Sequence, residues 1–196
     1  MKKILALLAV ALAVAACGGI PLRSIPQLIS LQGKLLDASP AEFMLAIQAD
    51  ARLTPKPDQV PVLKLAIKPK EPGTFEVIDK SLPMQLIVSP RAVYGLPPPS
   101  PDRRWFLYSF SPESQAELAK FQANFKRLRD EQKGKGGGGG SVSIGISQEG
   151  VAARDPALAN TRWETWLQVS LLDGFFEVWS GTVADLLKGA DKAAKS

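Results

Sequence analysis

Apolar and polar side chains alternate over residues 41–53, and this period of two is the feature that most restricts the fold of the chain. Phe43, Leu45 and Ile47 fall on one side of an extended chain, and Gln48 falls on the other. A helix of the same sequence would scatter these apolar side chains around its axis. The alternation therefore predicts a strand with one buried face.

Further extended segments follow at intervals of about ten residues, separated by turns that contain Pro or Gly. We predict them at residues 63–67, 74–79, 82–88, 104–110, 141–147, 161–172 and 175–179. Short strands with this spacing are typical of antiparallel sandwiches. The sequence therefore predicts a β-rich α+β fold with antiparallel, sandwich-like sheets, one long inserted helix and a short C-terminal helix.

The long helix is predicted over residues 112–133. Ser111 is a suitable N-cap, and Pro112 suits the first helical position. Apolar residues then recur at a spacing of three and four, which indicates one buried stripe: Leu118, Phe121, Phe125 and Leu128. Three basic side chains line one flank of that stripe and form part of a candidate binding surface: Lys126, Arg129 and Lys133. Their simplest role is to complement the helix dipole from a solvated face.

The C-terminal third contributes two further candidate binding residues, Trp166 and Trp179. The dipeptide Asp173-Gly174 favours a tight two-residue hairpin. That hairpin would place Trp179 opposite Gln168, so that the two indoles become diagonal neighbours on one face. The pair is then either part of a partner-binding patch or ordinary core under the long helix. After the hairpin, Thr182 and Asp185 have the spacing of a capping box and start the last helix.

The first seventeen residues have the order of a lipoprotein export signal. Lys2 and Lys3 precede an apolar run over residues 4–13, which is too short to cross a bilayer. Val14-Ala15-Ala16-Cys17 follows and resembles the lipobox of bacterial lipoproteins, in which cleavage precedes a Cys that carries diacylglycerol. The resemblance implies that Cys17 is lipidated. Gly18 is not the Asp that marks retention at the inner membrane, so in a two-membrane bacterium it implies the outer membrane, facing the periplasm.

These segments divide the chain into four parts. We expect a lipoprotein signal peptide at residues 1–16, a lipidated Cys and tether at 17–26, a single β-rich domain at 27–187 and a frayed tail at 188–196. A Gly-rich stretch over residues 134–140 interrupts the domain. It follows a helix and precedes a strand, the reverse of a phosphate-binding loop, so we interpret it as a linker.

The composition excludes several classes of function. The chain has 24 basic and 19 acidic residues and no His. Without His there is no Ser-His-Asp or Cys-His arrangement and no His-based metal site, and no calcium-loop motif occurs. Loss of Lys2 and Lys3 leaves 22 basic residues, a net charge of +3, which is too small to indicate nucleic acid. We predict no cofactor and no metal.

The leading hypothesis from the sequence is a non-enzymatic binding or scaffold lipoprotein, held at the membrane by Cys17, with an envelope protein as its partner. A carrier of lipid or another hydrophobic ligand is the alternative, and a carboxylate-based hydrolase is a weaker one. A large closed apolar pocket would favour the carrier, a cleft with paired buried acids the hydrolase, and a filled core with an exposed aromatic patch the binding module.

Overall fold

A computed structural model describes residues 24–69, 75–87, 94–132, 140–152 and 155–193 of the chain. Within these ranges the predicted class, a β-rich α+β fold, is confirmed. The strands are β1 (Met44–Asp50), β2 (Val62–Pro69), β3 (Ile78–Ile87), β4 (Arg103–Phe110), β5 (Gly140–Ser147), β6 (Arg162–Gln168) and β7 (Phe176–Thr182). The helices are α1 (Ile25–Asp37), α2 (Pro112–Gln132) and α3 (Val183–Ala193), with a 3₁₀ turn at Pro40–Glu42.

All seven strands join one curled sheet in the order β5-β2-β3-β4-β1-β6-β7, and every neighbouring pair is antiparallel. β1 lies near one end of the order, between β4 and β6. β5 and β7 form the two ends of the sheet. This single curled sheet supplies the layers that the sequence analysis expected from a sandwich-like assembly.

The long helix is confirmed as α2, and it packs on the inner face of the sheet. The N–H of Ser114 bonds to Oγ of Ser111, as expected for an N-cap. Leu118 and Phe121 are each only 1% exposed, and Phe125 packs against the same core from a half-buried position. The apolar stripe of the sequence therefore faces the sheet.

One helix was not predicted. α1 has Pro26 in its first turn and places Leu31, Leu35 and Leu36 in the inner core. The predicted tether at residues 17–26 therefore overlaps the first two residues of a packed helix. The two prolines and two glycines of residues 18–26 indicated flexible chain, whereas the leucine spacing that follows them is helical.

Two strand predictions differ in extent. The 3₁₀ turn Pro40–Glu42 delays β1 to Met44, and β1 is buried on both faces because a loop covers the side that carries Ala46. Residues 78–79 of the segment predicted at 74–79 and residues 82–87 of the one predicted at 82–88 belong to one strand, β3, which runs through Ser81. Residues 75–77 precede this strand, and residues 74 and 88 lie outside the described residues. A polar residue does not interrupt a strand when its side chain faces solvent.

A second, smaller core covers the outer face of the sheet. Ala46, Trp105 and Leu107 are buried there, with Trp166 packed against them. The rings of Trp105 and Trp166 meet edge to face, with centroids 6.1 Å apart. Trp105 Nε1 donates to the carbonyl of Pro97 at 3.0 Å, so the proline-rich segment after Gly95 packs on this face.

The C-terminal helix is confirmed at its start and is longer than predicted. Thr182 Oγ1 accepts from the N–H of Asp185 at 3.1 Å, and the N–H of Thr182 donates to Oδ2 of Asp185 at the same distance. This is the predicted capping box. α3 continues to Ala193, so most of the predicted frayed tail is helical.

Candidate functional site

The two ends of the curled sheet contribute to one groove, with a volume of about 560 Å³. We call it the edge groove. It is lined by Leu28 and Leu31 of α1, residues 144–147 of β5, Leu167 of β6, Val178 and Trp179 of β7, and the Leu186, Gly189 and Ala190 face of α3. Its size lies within the range of about 300–1,000 Å³ that is usual for ligand sites.

The floor of the groove is apolar and continuous with the inner core. Leu167 is 1% exposed and Leu31 is 9% exposed, so both are packed from below and present only a small surface. Leu28, Ile144 and Ile146 are half-buried against the same core. An apolar group placed here would complete the burial of side chains that the fold leaves only partly covered.

One wall of the groove is formed by β5, an end strand of the sheet. Four consecutive residues, 144–147, line it, although successive side chains of a strand point to opposite faces. Gly145 has no side chain, so it contributes backbone atoms to this wall. The wall therefore includes backbone groups as well as side chains.

The opposite wall depends on an irregularity in β7. Thr165 pairs with Trp179, but Trp166 pairs with Glu177, so the register shifts at this point. The extra residue is Val178, and the shift lets both Val178 and Trp179 reach the inner side of the sheet. Trp179 thereby joins the lining of the edge groove.

The indole of Trp179 lies directly over Gly181. A Cβ at Gly181 would come within 2.7 Å of the six-membered ring, which is closer than real carbon contacts allow. The absence of a side chain at this position is what lets the indole adopt its orientation. Gly181 therefore determines the shape of this wall.

Charged side chains stand at the rim. Burial opposes ionisation of Glu149, but the hydrogen bond from Ser147 Oγ and those from nearby backbone N–H groups outweigh it, and its pKa is lowered. The charge of Lys64 acts in the same direction. Thr182 Oγ1 and its N–H both donate to Asp185 and lower the pKa of that carboxyl. Both rim carboxylates are thus ionised at neutral pH.

Gln148 stands between the groove and the inner core. Its side-chain oxygen accepts hydrogen bonds from Trp163 Nε1 at 3.0 Å and from Thr165 Oγ1 at 2.7 Å. All three residues are at most 5% exposed. Because Gln148 directly follows β5, this contact fixes the end of β5 against the inner face of β6.

The prediction that Trp166 and Trp179 are neighbours on one face of the sheet is wrong. Trp166 lies on the outer face beside Trp105, whereas Trp179 lies on the inner side in the edge groove. The predicted register placed Trp179 opposite Gln168, but Trp179 pairs with Thr165. The bulge in β7 places Trp179 on the opposite face of the sheet from the one it would have in a regular strand.

The prediction of a two-residue hairpin at Asp173-Gly174 is also wrong. β6 ends at Gln168 and β7 begins at Phe176, so a seven-residue loop replaces the tight turn. Oδ1 of Asp173 lies 2.9 Å from Nζ of Lys34 in α1, and the two side chains form an ion pair. Gly174 keeps a positive φ of 67°, and its N–H bonds to the carbonyl of Ser170. Asp173 and Gly174 therefore lie within a longer loop that contacts α1.

The basic flank of α2 does not form a free patch among the described residues. Lys126 lies 3.1 Å from Asp37 of α1, and Arg129 lies 3.8 Å from Asp130. Lys133 is outside the described residues. The first two charges serve the surface of α2 and its contact with α1, and the sheet separates them from Trp166 on its outer face.

Cys17 and Gly18, the predicted lipidation and sorting residues, also lie outside the described residues. Within the described ranges no helix is long and apolar enough to cross a membrane. The same ranges contain no cluster of three Cys, Asp or Glu side chains able to hold a metal ion.

The sequence analysis missed the residues that form the edge groove. Leu28 and Leu31 carry a visible signal, because they belong to a helical leucine pattern that continues to Leu35. Val178 and Gln148 carry none, since a bulge and a buried amide acceptor depend on which strands become neighbours. Comparison with family models, curated proteins and solved structures finds no match to the chain.

Proposed function

We propose that this chain is a lipoprotein of the bacterial cell envelope, held at a membrane through a lipidated Cys17, and that its domain is a non-enzymatic binding module. In a two-membrane cell, Gly18 after the Cys favours the outer membrane, with the domain facing the periplasm. The edge groove is the binding surface that we assign to the domain.

The observation that carries the binding assignment is the construction of the groove. Its floor is apolar and its rim is charged, and both ends of the sheet contribute to it. The rest of the inner face is filled by α1 and α2, whose buried side chains belong to one core. An open groove over a filled core suits recognition of a segment of another molecule.

A carrier of a hydrophobic ligand remains the second candidate, and the apolar floor is what favours it. Leu167, Val178 and the half-buried isoleucines of β5 would contact an acyl chain. The groove is open to solvent, however, and a carrier gains most from a closed cavity that removes its ligand from water.

A hydrolase has less support. Glu149 and Asp185 are the carboxylates of the groove, and each is held by local hydrogen bonds that lower its pKa. A general acid for hydrolysis needs a pKa that is raised towards neutrality. Their bonding instead suits fixed charges at a rim.

The anchor is tested by labelling cells with radioactive palmitate. The unchanged chain should incorporate label, and Cys17→Ser should remain unlabelled and uncleaved at this site. A companion variant, Gly18→Asp, should move the protein towards the inner membrane in a two-membrane cell. Label that survives the loss of Cys17 would overturn the anchor.

The groove is tested by photocrosslinking in intact cells. A benzophenone amino acid replaces Lys64, an exposed residue at the rim, and in a matched control it replaces Gln85, an exposed residue of β3 outside the groove. We expect a protein adduct from position 64 and none from position 85. A lipid adduct at 64 would instead establish the carrier, and no adduct, or equal adducts at both positions, would remove the groove as the binding surface.

A further inference from the structure

Two consecutive leucines project from the loop that joins β6 to β7. Leu171 is 69% exposed and Leu172 is 98% exposed, so each leaves most of its apolar surface in water. Single exposed apolar side chains are common on protein surfaces. Two adjacent ones at a loop tip form a small apolar projection, and loops often carry the binding contacts of a fold. We call these two residues the leucine tip.

Hydrogen bonds hold the loop in the conformation that exposes the leucine tip. The N–H of Leu171 donates to Oε2 of Glu42 at 2.9 Å, and the N–H of Leu172 donates to Oγ of Ser170 at 3.2 Å. Val169, at the base of the loop, is 1% exposed and belongs to the inner core. Both main-chain donors of the tip are therefore satisfied within the protein, while its two side chains point outward.

The leucine tip lies beside α1. Asp173 directly follows the tip and forms an ion pair with Lys34 of α1. The same two residues border a recess of about 240 Å³, and Gln27 and Ser30 of α1 also line it. Because Gln27 lies in the first turn of α1, this recess extends from the tip to the start of the helix.

The start of α1 is the described part of the chain that lies closest in sequence to the proposed lipid anchor. Ser24, the residue before α1, is 2% exposed, and seven peptide units separate it from Cys17. A segment of this length spans about 25 Å when fully extended. The anchor therefore holds the domain at the bilayer by the end of α1 that borders the recess.

We infer that the leucine tip inserts into the bilayer that carries the lipid of Cys17, so that the domain rests on the membrane along the recess side of α1. This inference rests on the proposed lipid anchor and adds a second membrane contact to it. Leucine is among the residues that the hydrocarbon region of a bilayer favours most.

The anchor is what makes so small a contact effective. Two leucines are too few to hold a protein on a membrane from solution, and stable attachment generally combines two signals. A short tether keeps the tip at a high local concentration near the bilayer, so its insertion is an intramolecular step.

The side chains around the recess suit the headgroup region of a membrane. Gln27 and Ser30 are polar and uncharged, and the pair of Lys34 with Asp173 carries no net charge. Glu42 beside the tip adds a negative charge. The contact therefore depends on burial of the leucine tip and not on attraction to anionic lipids.

A bilayer fits the leucine tip better than a folded protein does. Stable protein interfaces bury about 1,200–2,000 Å² in total, far more than two leucine side chains supply. Trp, Tyr and Arg dominate the binding energy of such interfaces, and Leu is under-represented there. The same comparison disfavours a second copy of this domain. A bilayer needs no complementary shape, only apolar side chains that project far enough to enter it.

The test uses the full chain as isolated from the producing cells, reconstituted in phosphatidylcholine vesicles. Leu172→Cys carries an environment-sensitive nitrobenzoxadiazole dye, and Ala51→Cys carries it in a matched control. Ala51 is exposed and directly follows β1, whose other end pairs with Gln168 beside the loop. At position 172 we expect emission at shorter wavelength and quenching by nitroxide-labelled lipids, and at position 51 neither. A dye at position 172 that remains in water would overturn the inference.

Replacing the tip separates its effect from that of the dye. A dye at Ser30, an exposed residue of α1 beside the recess, reports docking while the tip is varied. Leu171→Ser combined with Leu172→Ser should lower the docking equilibrium constant, measured by nitroxide quenching, by about tenfold or more. Leu171→Met combined with Leu172→Met keeps apolar side chains of similar volume and should retain docking. Equal effects of the two pairs would contradict insertion of the tip.

Salt and lipid charge distinguish apolar insertion from electrostatic attachment. Quenching of the dye at position 172 should be the same at low and high salt, because burial of leucine is not screened. It should also be the same when phosphatidylglycerol replaces part of the phosphatidylcholine. Docking that disappears at high salt, or that requires phosphatidylglycerol, would overturn the inference.

Photocrosslinking in intact cells distinguishes a lipid from a protein neighbour. A benzophenone amino acid at position 172 should yield a lipid adduct, because the tip lies among acyl chains. A protein adduct at this position would show that the leucine tip contacts a partner protein and would overturn membrane insertion.

The failure of this inference is separable from the failure of the proposed function. The unchanged chain, denatured in detergent, should take up no thiol-reactive dye, because the thiol of Cys17 carries the lipid. Uptake of the dye would overturn the anchor and with it the insertion that depends on it. No uptake, together with a dye at position 172 that remains in water, would leave the anchor in place and remove the leucine tip as a membrane contact.

Discussion

Oε1 of Gln148 lies 3.0 Å from Nε1 of Trp163, and this bond connects the end of β5 to β6, five places away in the order of the sheet. Thr165 donates to the same oxygen. The sheet therefore curls far enough for a side chain at one end to reach a strand near the other. Where the Gln148 contact ends, the two ends of the sheet separate and the edge groove opens.

Replacing Gln148 by Ala should destabilise the protein strongly. Trp163 Nε1 and Thr165 Oγ1 would remain buried without an acceptor, and each such donor costs about 1–3 kcal/mol. We expect the free energy of unfolding, measured by urea denaturation, to fall by about 2–6 kcal/mol. Gln85→Ala, on the exposed side of β3, is the matched control and should change it by less than about 0.5 kcal/mol. Similar losses for both would mean that the buried bonds contribute little.

Replacing apolar side chains of α2 by Ala should destabilise the protein, and more strongly where the side chain is more deeply buried. Phe121 is 1% exposed, and a buried Phe→Ala change costs about 3–5 kcal/mol. Leu128 is only half-buried near the end of the helix. Leu128→Ala should therefore lower the stability of the protein by less than half as much as Phe121→Ala. Thermal unfolding followed by circular dichroism measures both. A larger effect at Leu128 would contradict the orientation of α2.

Two glycines should respond in opposite ways to alanine. Gly181→Ala forces the indole of Trp179 to rotate, because the new Cβ would lie within 2.7 Å of it. We expect a shift of the tryptophan fluorescence maximum and lower stability. Gly33→Ala meets nothing within 4 Å on an exposed face of α1 and should stabilise the protein by about 0.5–1 kcal/mol. An unchanged spectrum for Gly181→Ala would show that Trp179 does not lie over this residue.

The carboxyl of Asp50 should titrate unusually low. Hydrogen bonds from the side chain and the backbone N–H of Arg52 lower its pKa from 3.8 to about 2. Since the pKa is lowered in the folded state, the resulting stability is present above about pH 4 and is lost as the pH falls towards 2. Carbon-13 NMR of the carboxyl measures the midpoint directly.

Arg52→Ala tests the cause of that shift. It removes the side-chain bond and the positive charge but keeps the backbone N–H, so the midpoint should rise only part of the way to 3.8. A midpoint for Asp50 that is the same with and without the Arg52 side chain would contradict this assignment.

The features that could be predicted from the sequence are those that depend on nearby residues. The Ser111 cap, the stripe through Phe121 and the capping box of Thr182 with Asp185 all lie within a few positions of the residues they serve. Their energies arise within one or two helical turns, so the sequence contains the information locally. The strand positions followed from alternation for the same reason.

The edge groove could not be predicted in this way, because its parts come together only when the sheet curls. Leu28 of α1, Ile146 of β5 and Trp179 of β7 lie far apart in the chain and contact one space. The tryptophan pair failed because one extra residue in β7 exchanged the two faces of the strand, and nothing near Val178 marks that residue as a bulge. α1 is the exception. Its leucine spacing indicates a helix, but the prolines and glycines that precede it indicate a flexible tether.

The position of β1 in the sheet has a consequence for folding during synthesis of the chain. β1 pairs on one side with residues of β4 about 60 positions later and on the other with residues of β6 about 120 positions later. Contacts so distant in sequence form slowly. A chain that emerges from its N-terminus therefore presents an apolar strand with an unpaired edge until most of its length is available. We expect folding to be completed only after β6 has been released, and the unfolded chain to depend on chaperones until then.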